Sequence, residues 1–205
     1  MAAVVLGPGD LLQERPFTDP AHTEREADLM RDALSELRAR AAAWADEDRR
    51  GLVLRERDED GHRHLIVVPS TRALLEADGI TAVGFFGHPR AGVDHGVLFA
   101  LEDELVAGME AYADAGLLTY YDVELPKSNY GNLVLFSTPD VPPEWIANAV
   151  HRRAIEISPQ HYYDVRLHKG FVPGRLLAGG DLTIERTKYF DFAGAEEWRA
   201  LRRFG

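Results

Sequence analysis

The chain has 205 residues, with 34 Asp and Glu against 23 Lys and Arg, a formal net charge of −11. Its 45% hydrophobic and 28% charged residues are the balance of a soluble globular chain, one domain plus an extension. The acidity argues against a general nucleic-acid binder, zero cysteines exclude disulfides and thiolate chemistry, and no apolar run approaches the ~18 residues of a membrane helix.

The first basic residue is Arg15, so no secretory signal is predicted and a cytoplasmic protein is the expectation. Residues 1–22 are rich in Pro, Gly and Asp and read as an arm. Thr23 to Glu26 has the T-x-x-E form of a capping box. Met30, Leu34, Leu37, Ala41 and Trp44 follow at helical spacing, which predicts a helix over about 24–48. Gly51 to Val68 reads as a hairpin turning at Asp58-Glu59-Asp60-Gly61, and residues 69–78 as one short helix capped by Ser70. Helix and hairpin form an extension over 23–78.

Ile80 to Gly87 predicts a buried strand, and residues 88–100 are irregular. Leu101, Leu105, Met109 and Tyr112 are helix-spaced, with acids at 102–104 and Gly116 as the stop. Leu117 to Leu125 alternates as a strand, Lys127 to Tyr130 make a turn, and Gly131 to Ser137 is the next strand. Pro142-Pro143 opens a helix that Ser158-Pro159 ends. Gln160 to Lys169 and Leu182 to Phe192 are the last strands, before a basic tail over 193–205. The order over 79–192 is β-α-β-β-α-β plus one strand, an α+β fold with a ferredoxin-like, split βαβ core. Both helices of such a core lie on one face of its sheet. The other face needs a cover, either the N-terminal extension or a second copy; a homodimer is the expectation.

Strand side chains alternate between faces. The more apolar sets, His161, Tyr163, Val165 and Leu167 with Thr119, Tyr121, Val123 and Leu125, are expected to pack on the helices. The opposite sets then collect Tyr120, Asp122, Tyr162, Asp164, Arg166 and His168 on the open face. Such a group suits a small-molecule substrate: Arg166 to hold an anion, His168 as acid/base oriented by Asp122 or Asp164, and Tyr120 and Tyr162 as hydrogen-bond donors. The competing reading is a non-catalytic ligand-sensing or assembly module that uses the same face as a dimer interface. An enzyme predicts a pocket with unpaired polar groups; an interface predicts charge pairs and no cavity.

A strand over Asn132 to Ser137, Glu144-Trp145 opening a helix, His151-Arg152-Arg153-Ala154 on it and Tyr162-Tyr163 in the next strand resemble the antibiotic biosynthesis monooxygenase-like, dimeric α+β barrel superfamily. The similarity spans about Leu117 to Gly170. Phe136-Ser137 stand where members commonly end the strand in Trp, and the chain is about twice the usual length. The resemblance implies a small-molecule enzyme, often free of cofactor and oxygen-using, and the expectation for the open-face pocket is oxidative or eliminating chemistry. In haem-binding relatives a helix His ligates the iron, and the matching position here is His151. Periodicity places His151 off the Ile146/Ala149/Val150/Ile157 stripe, so a haem would need a cleft beside the helix.

His62 and His64 form an H-x-H on the hairpin beside Asp58, without an identifiable third metal ligand. His88 and His95 bracket a polar loop with Asp94. No dinucleotide, P-loop, α/β-hydrolase or zincin motif occurs.

Overall fold

The structure is a computed structural model that describes residues 3–45, 48–125 and 129–204. A short strand, β1 (Val4–Leu6), precedes the long helix α1 (Pro20–Ala42). The helix begins earlier than the T-x-x-E motif suggests. Asp19 caps it, its Oδ1 accepting from the Ala21 N–H at 2.8 Å, and Pro20 supplies a first residue that needs no backbone donor. Thr23 and Glu26 are therefore buried inside the helix rather than capping it. The hairpin forms as expected from β2 (Arg50–Arg57) and β3 (Arg63–Ser70), and Gly61 takes the positive φ (84°) that its turn needs. Ser70 caps α2 (Thr71–Glu76), its Oγ accepting from the Ala73 N–H at 3.2 Å.

Strand β4 (Asp78–Pro89) leads into α3 (Gly96–Ala107). This helix begins inside the stretch expected to be irregular, and the Asp94 carboxylate accepts from the Gly96 N–H at 2.8 Å. Strands β5 (Leu117–Leu125) and β6 (Asn129–Phe136) follow; part of the turn expected between them lies outside the described residues. The helix expected after Pro142-Pro143 is two, α4 (Pro143–Ala147) and α5 (Ala149–His161). Asn148 leaves helical geometry between them and caps α5 by accepting from the His151 N–H at 2.9 Å. Ser158-Pro159 does not end α5, which runs on to His161; Ser158 Oγ donates to the Ala154 carbonyl at 2.8 Å. Strands β7 (Tyr162–Arg175), β8 (Thr183–Asp191) and β9 (Trp198–Arg203) complete the chain.

The fold is α+β, and the nine strands among the described residues form one mixed sheet of order β1-β9-β8-β7-β4-β6-β5-β3-β2. Every neighbouring pair is antiparallel except β1 and β9. The segments read as arm and tail both contribute strands: β9 pairs with β8, and β1 pairs with β9. From β4 to β7 the chain runs strand, helix, strand, strand, helix pair, strand, and these four strands lie side by side as β7-β4-β6-β5.

Both faces of the sheet carry helices. Met30, Leu34, Leu37 and Ala41 of α1 pack on Ile66, Ile80, Leu133 and Leu135. Leu105 and Val106 of α3 and Trp145 of α4 pack on Leu65, Val67, Val134 and Phe136 on the opposite face. The face expected to be open is thus covered by the chain's own α1, the N-terminal cover named as the alternative to a second copy. Leu12 and Phe17 extend that cover over Tyr189 and Ala200. On the α3 side, Leu167, Phe190 and Leu201 are only half-buried and Lys188 is exposed. Among the described residues no helix is long and apolar enough to cross a membrane.

The approach of α1 depends on Gly84 of β4, where an added Cβ would meet Met30 Sδ at 2.5 Å. Gly84→Ala is expected to cost about 1–3 kcal/mol by overpacking. Met30→Ala should cost less in that background than alone, because it makes room for the new methyl. Urea unfolding of the two single variants and the double variant measures this, and strict additivity would contradict the contact.

Candidate functional site

Tracing the register across the sheet decides which side chains share a face. His168 pairs with Gly84, Gly84 with Leu133, and Leu133 with Tyr121. Leu167 pairs with Phe85, Phe85 with Asn132, and Asn132 with Asp122. The partner of His168 across the sheet is therefore Tyr121, while Tyr120 and Asp122 point to the other side. Tyr162 lies beyond a register shift at His88/Pro89, and its ring meets Phe85 edge-on at 5.5 Å on the α3 side. The six residues expected on one face thus split into two groups: Asp164, Arg166 and His168 under α1, and Tyr120, Asp122 and Tyr162 toward α3.

The α1 group is sealed. Glu26 descends from α1 and accepts from Arg166 Nε at 3.1 Å and also from its Nη2, while Arg166 Nη1 donates to Asp164. His168 lies fully buried between Glu26 Oε2 (2.7 Å from Nε2) and Thr187 Oγ1 (2.8 Å from Nδ1). Burial pushes the Glu26 carboxyl up, but hydrogen bonds from His168 and His22 and the charge of Arg166 outweigh it, holding Glu26 well below the usual carboxylate range. Thr23 reaches Tyr189 at 3.1 Å, Tyr189 accepts from Arg202 at 2.7 Å, and Arg202 also donates to the carbonyls of Gly7 and Asp10. Arg166 and His168 line neither of the two cavities described below. Buried charges paired with one another in this way are the arrangement of an interface, here between α1 and its own sheet. Arg166 holds Glu26 and Asp164, in place of the substrate anion expected for it.

The α3 group adjoins an open cleft of about 410 Å3. Arg63 of β3 donates to Glu102 of α3 at 2.6 Å and to Asp122 of β5 at 2.7 Å, and Tyr120 OH donates to Glu102 at 3.2 Å. Two largely buried carboxylates thus share one guanidinium. Burial and then the charge of Glu102 push the Asp122 carboxyl well up, against the pull of Arg63. Burial, then the same carboxylates, raise Tyr120 and Tyr162, so both keep their protons. The cleft is lined by Arg55, Arg57 and Arg63 against Glu102, Asp103 and Glu124, with Arg55 donating to Asp103 at 2.8 Å, and by Phe99 and Tyr130 packed edge-to-face at 5.4 Å. Arg63 stands 5.1 Å from the Phe99 ring. Arg57 is 66% exposed, donates to the Gly61 carbonyl and stands 3.8 Å from Glu124.

The remaining histidines are dispersed. His151 Nδ1 lies 3.2 Å from the Trp145 carbonyl, and its ring is 5.3 Å from the Trp145 ring. Burial lowers its pKa. A backbone bond at Nδ1 leaves Nε2 for a metal, yet neither described cavity is lined by His151. With its Nδ1 on the Trp145 carbonyl and neither described cavity beside it, His151 does not fit the haem ligand that the resemblance implies. His62 and His64 both meet Asp58 Oδ2, at 3.3 and 3.4 Å. Among the described residues no group of three or more His, Asp or Glu is placed to hold a metal ion. His88 meets Asp164 Oδ2 at 3.2 Å, and the rings of His95 and His161 stand 5.4 Å apart.

Three residues central to these groups escaped the sequence reading. Glu26 was assigned to a cap, Glu102 to a favourable helix start, and Arg63 sits inside H-x-H, where the histidines draw attention. The signal for Glu26 was present: it precedes Met30 by four residues and so shares the buried stripe. No family model, no curated protein and no solved structure matches the chain.

The depressed Glu26 pKa fixes a pH dependence. Its stabilising contribution is complete above its ordinary value of 4.5 and is lost as pH falls below that. Glu26→Gln leaves the buried Arg166 with Asp164 as its one carboxylate partner and should cost about 3 kcal/mol at neutral pH, the low end for breaking a buried pair. Its stability should also fall less steeply with acid than that of wild type. Urea unfolding at pH 7 and pH 4 checks both; equal acid slopes would contradict the assignment.

Proposed function

We propose that the chain is a small-molecule enzyme built on a ferredoxin-like split βαβ unit, with its substrate site in the α3-side cleft. The antiparallel strands in order β7-β4-β6-β5 and the two helical crossovers on one face support the fold reading. The site reading rests on one observation: Glu102 and Asp122 share Arg63 at the wall of a cleft where three arginines face three carboxylates. Burial, then the charge of Glu102, raises the Asp122 carboxyl, so it holds its proton more tightly than an exposed carboxyl does. A carboxyl pair of this kind suits general acid/base work.

In this reading the substrate carries an anionic group and a flat apolar part. Arg57, with Arg55 beside it, receives the anion. Phe99 and Tyr130 take the apolar face. Arg63 positions Glu102, Tyr120 holds its other oxygen, and Asp122 is the proton reservoir. Glu102 then exchanges a proton with the bound molecule, which favours eliminating or isomerising chemistry over oxidation. Tyr162 contributes through its position beside the pair, while Arg166, His168 and Asp164 take no part in the reaction. A homodimer, where it forms, has the half-covered β7-β8-β9 strip on the α3 side to use, since α1 fills the other face.

Benzoate is the simplest probe with both features. It should bind saturably in a thermal-shift titration. Arg55→Ala/Arg57→Ala, changed at exposed positions, should weaken binding by about tenfold, the loss of a charge-assisted contact worth roughly 1.4 kcal/mol. Equal benzoate stabilisation of wild type and the double variant would remove this site.

A further inference from the structure

A second cavity, of about 360 Å3, lies on the opposite side of the sheet, where α1 overhangs the β2-β3-β5 end. Its floor is apolar: Leu29 and Ala33 of α1 face Val123 and Leu125 of β5 across it. The charged groups around this floor are Asp32, Glu36, Glu56 and Asp58 against Arg40 and Arg57, two more acids than bases. Arg40 is held between Glu36 and Glu56, at 2.7 Å from each. Arg57 lies 3.8 Å from Glu124 and donates to the Gly61 carbonyl. Asp32 has no hydrogen-bond or ion-pair partner among the described residues and stands exposed at the rim.

A polar chain runs from the floor to the rim. Tyr121 is buried, and burial raises its phenol to about 12, so it keeps its proton and donates to His64 Nδ1 at 2.7 Å. The other ring nitrogen, Nε2, then carries a proton toward Asp58 Oδ2 at 3.4 Å. This chain fixes the His64 ring in the wall and keeps Asp58 at the mouth.

We propose that this cavity binds a small amphipathic amine, its apolar body lying on Leu29, Ala33, Val123 and Leu125 and its ammonium group between Asp32 and Asp58. The apolar floor under a polar rim is the usual form of a small-ligand site. The excess of acid decides the sign of the ligand. A carboxylate would be repelled, and a neutral molecule of the same shape would leave Asp32 unpaired. The site shares only Arg57 with the α3-side cleft, and it stands or falls independently of the reaction proposed there.

The test is binding of phenethylamine to the full chain, followed by amide chemical shifts. Phenylacetate and 2-phenylethanol serve as the anionic and neutral counterparts of the same ring. Phenethylamine should bind saturably, shifting amides in Leu29–Arg40 and Val123–Leu125, and phenylacetate should not. Asp32→Asn changes an exposed side chain and should leave the fold intact while weakening phenethylamine about fivefold, the upper range for one partly exposed ion pair. Ala33→Phe fills the floor and should abolish binding; its amide spectrum shows whether it folds. Three results would each overturn the proposal: no saturable binding by wild type, phenylacetate binding as well as phenethylamine, or undiminished binding in Asp32→Asn.

Discussion

The charge of Arg166, buried at the centre of the sheet, constrains much of what surrounds it. A guanidinium 3% exposed on β7 must be met by carboxylates with suitable geometry, because an unpaired charge there costs more than the fold can sustain. Asp164, two residues away on the same strand face, supplies one. The other must come from whatever covers the face, and it is Glu26 of α1. Glu26 lies one turn before Met30 on the stripe that continues through Leu34, Leu37 and Ala41. Pinning Glu26 over β7 therefore helps to set the position of the whole helix. The bonds themselves add little net stability, but they oppose any placement of α1 that leaves Arg166 unmatched.

That constraint divides the polar residues into two kinds. Under α1 they are consumed in holding the molecule together: His168 spans Glu26 and Thr187, and Arg202 ties Tyr189 to the carbonyls of Gly7 and Asp10. Toward α3 the balance differs. Glu102 and Asp122 compete for Arg63, while Arg55 and Arg57 stand largely in solvent beside them. In the proposed reading, a substrate anion adds a partner to Arg55 and Arg57, which are themselves exposed; the sealed network has no such exposed arginine.

Local signals carried much of the fold. The α1 stripe, the Asp58–Gly61 turn, the Ser70 cap and the strands around Phe85, Tyr121 and Leu135 all follow from periodicity and turn chemistry. Register was not legible. Whether Tyr120 or Tyr121 faces His168 depends on three successive strand pairings, and one residue of slip exchanges them. That single ambiguity merged two unrelated polar groups into one expected site. The register shift between His88 and Pro89 then turned Tyr162 away from Asp164 despite their matching parity. β1 and β9 were too short to stand out without each other, since their pairing joins the two ends of the chain. Glu26 was hidden by a motif that fits a cap equally well; only the tertiary position of Arg166 shows why the residue is acidic.

The fold closes some arginines and leaves others open. Labelling the folded protein with phenylglyoxal, read residue by residue by mass spectrometry, measures this directly. Arg55 and Arg57 should react quickly, Arg63 more slowly, and Arg166 and Arg202 only on unfolding. Modification of Arg166 in the folded protein at the rate of Arg57 would contradict the division between a sealed α1 side and an open α3 side.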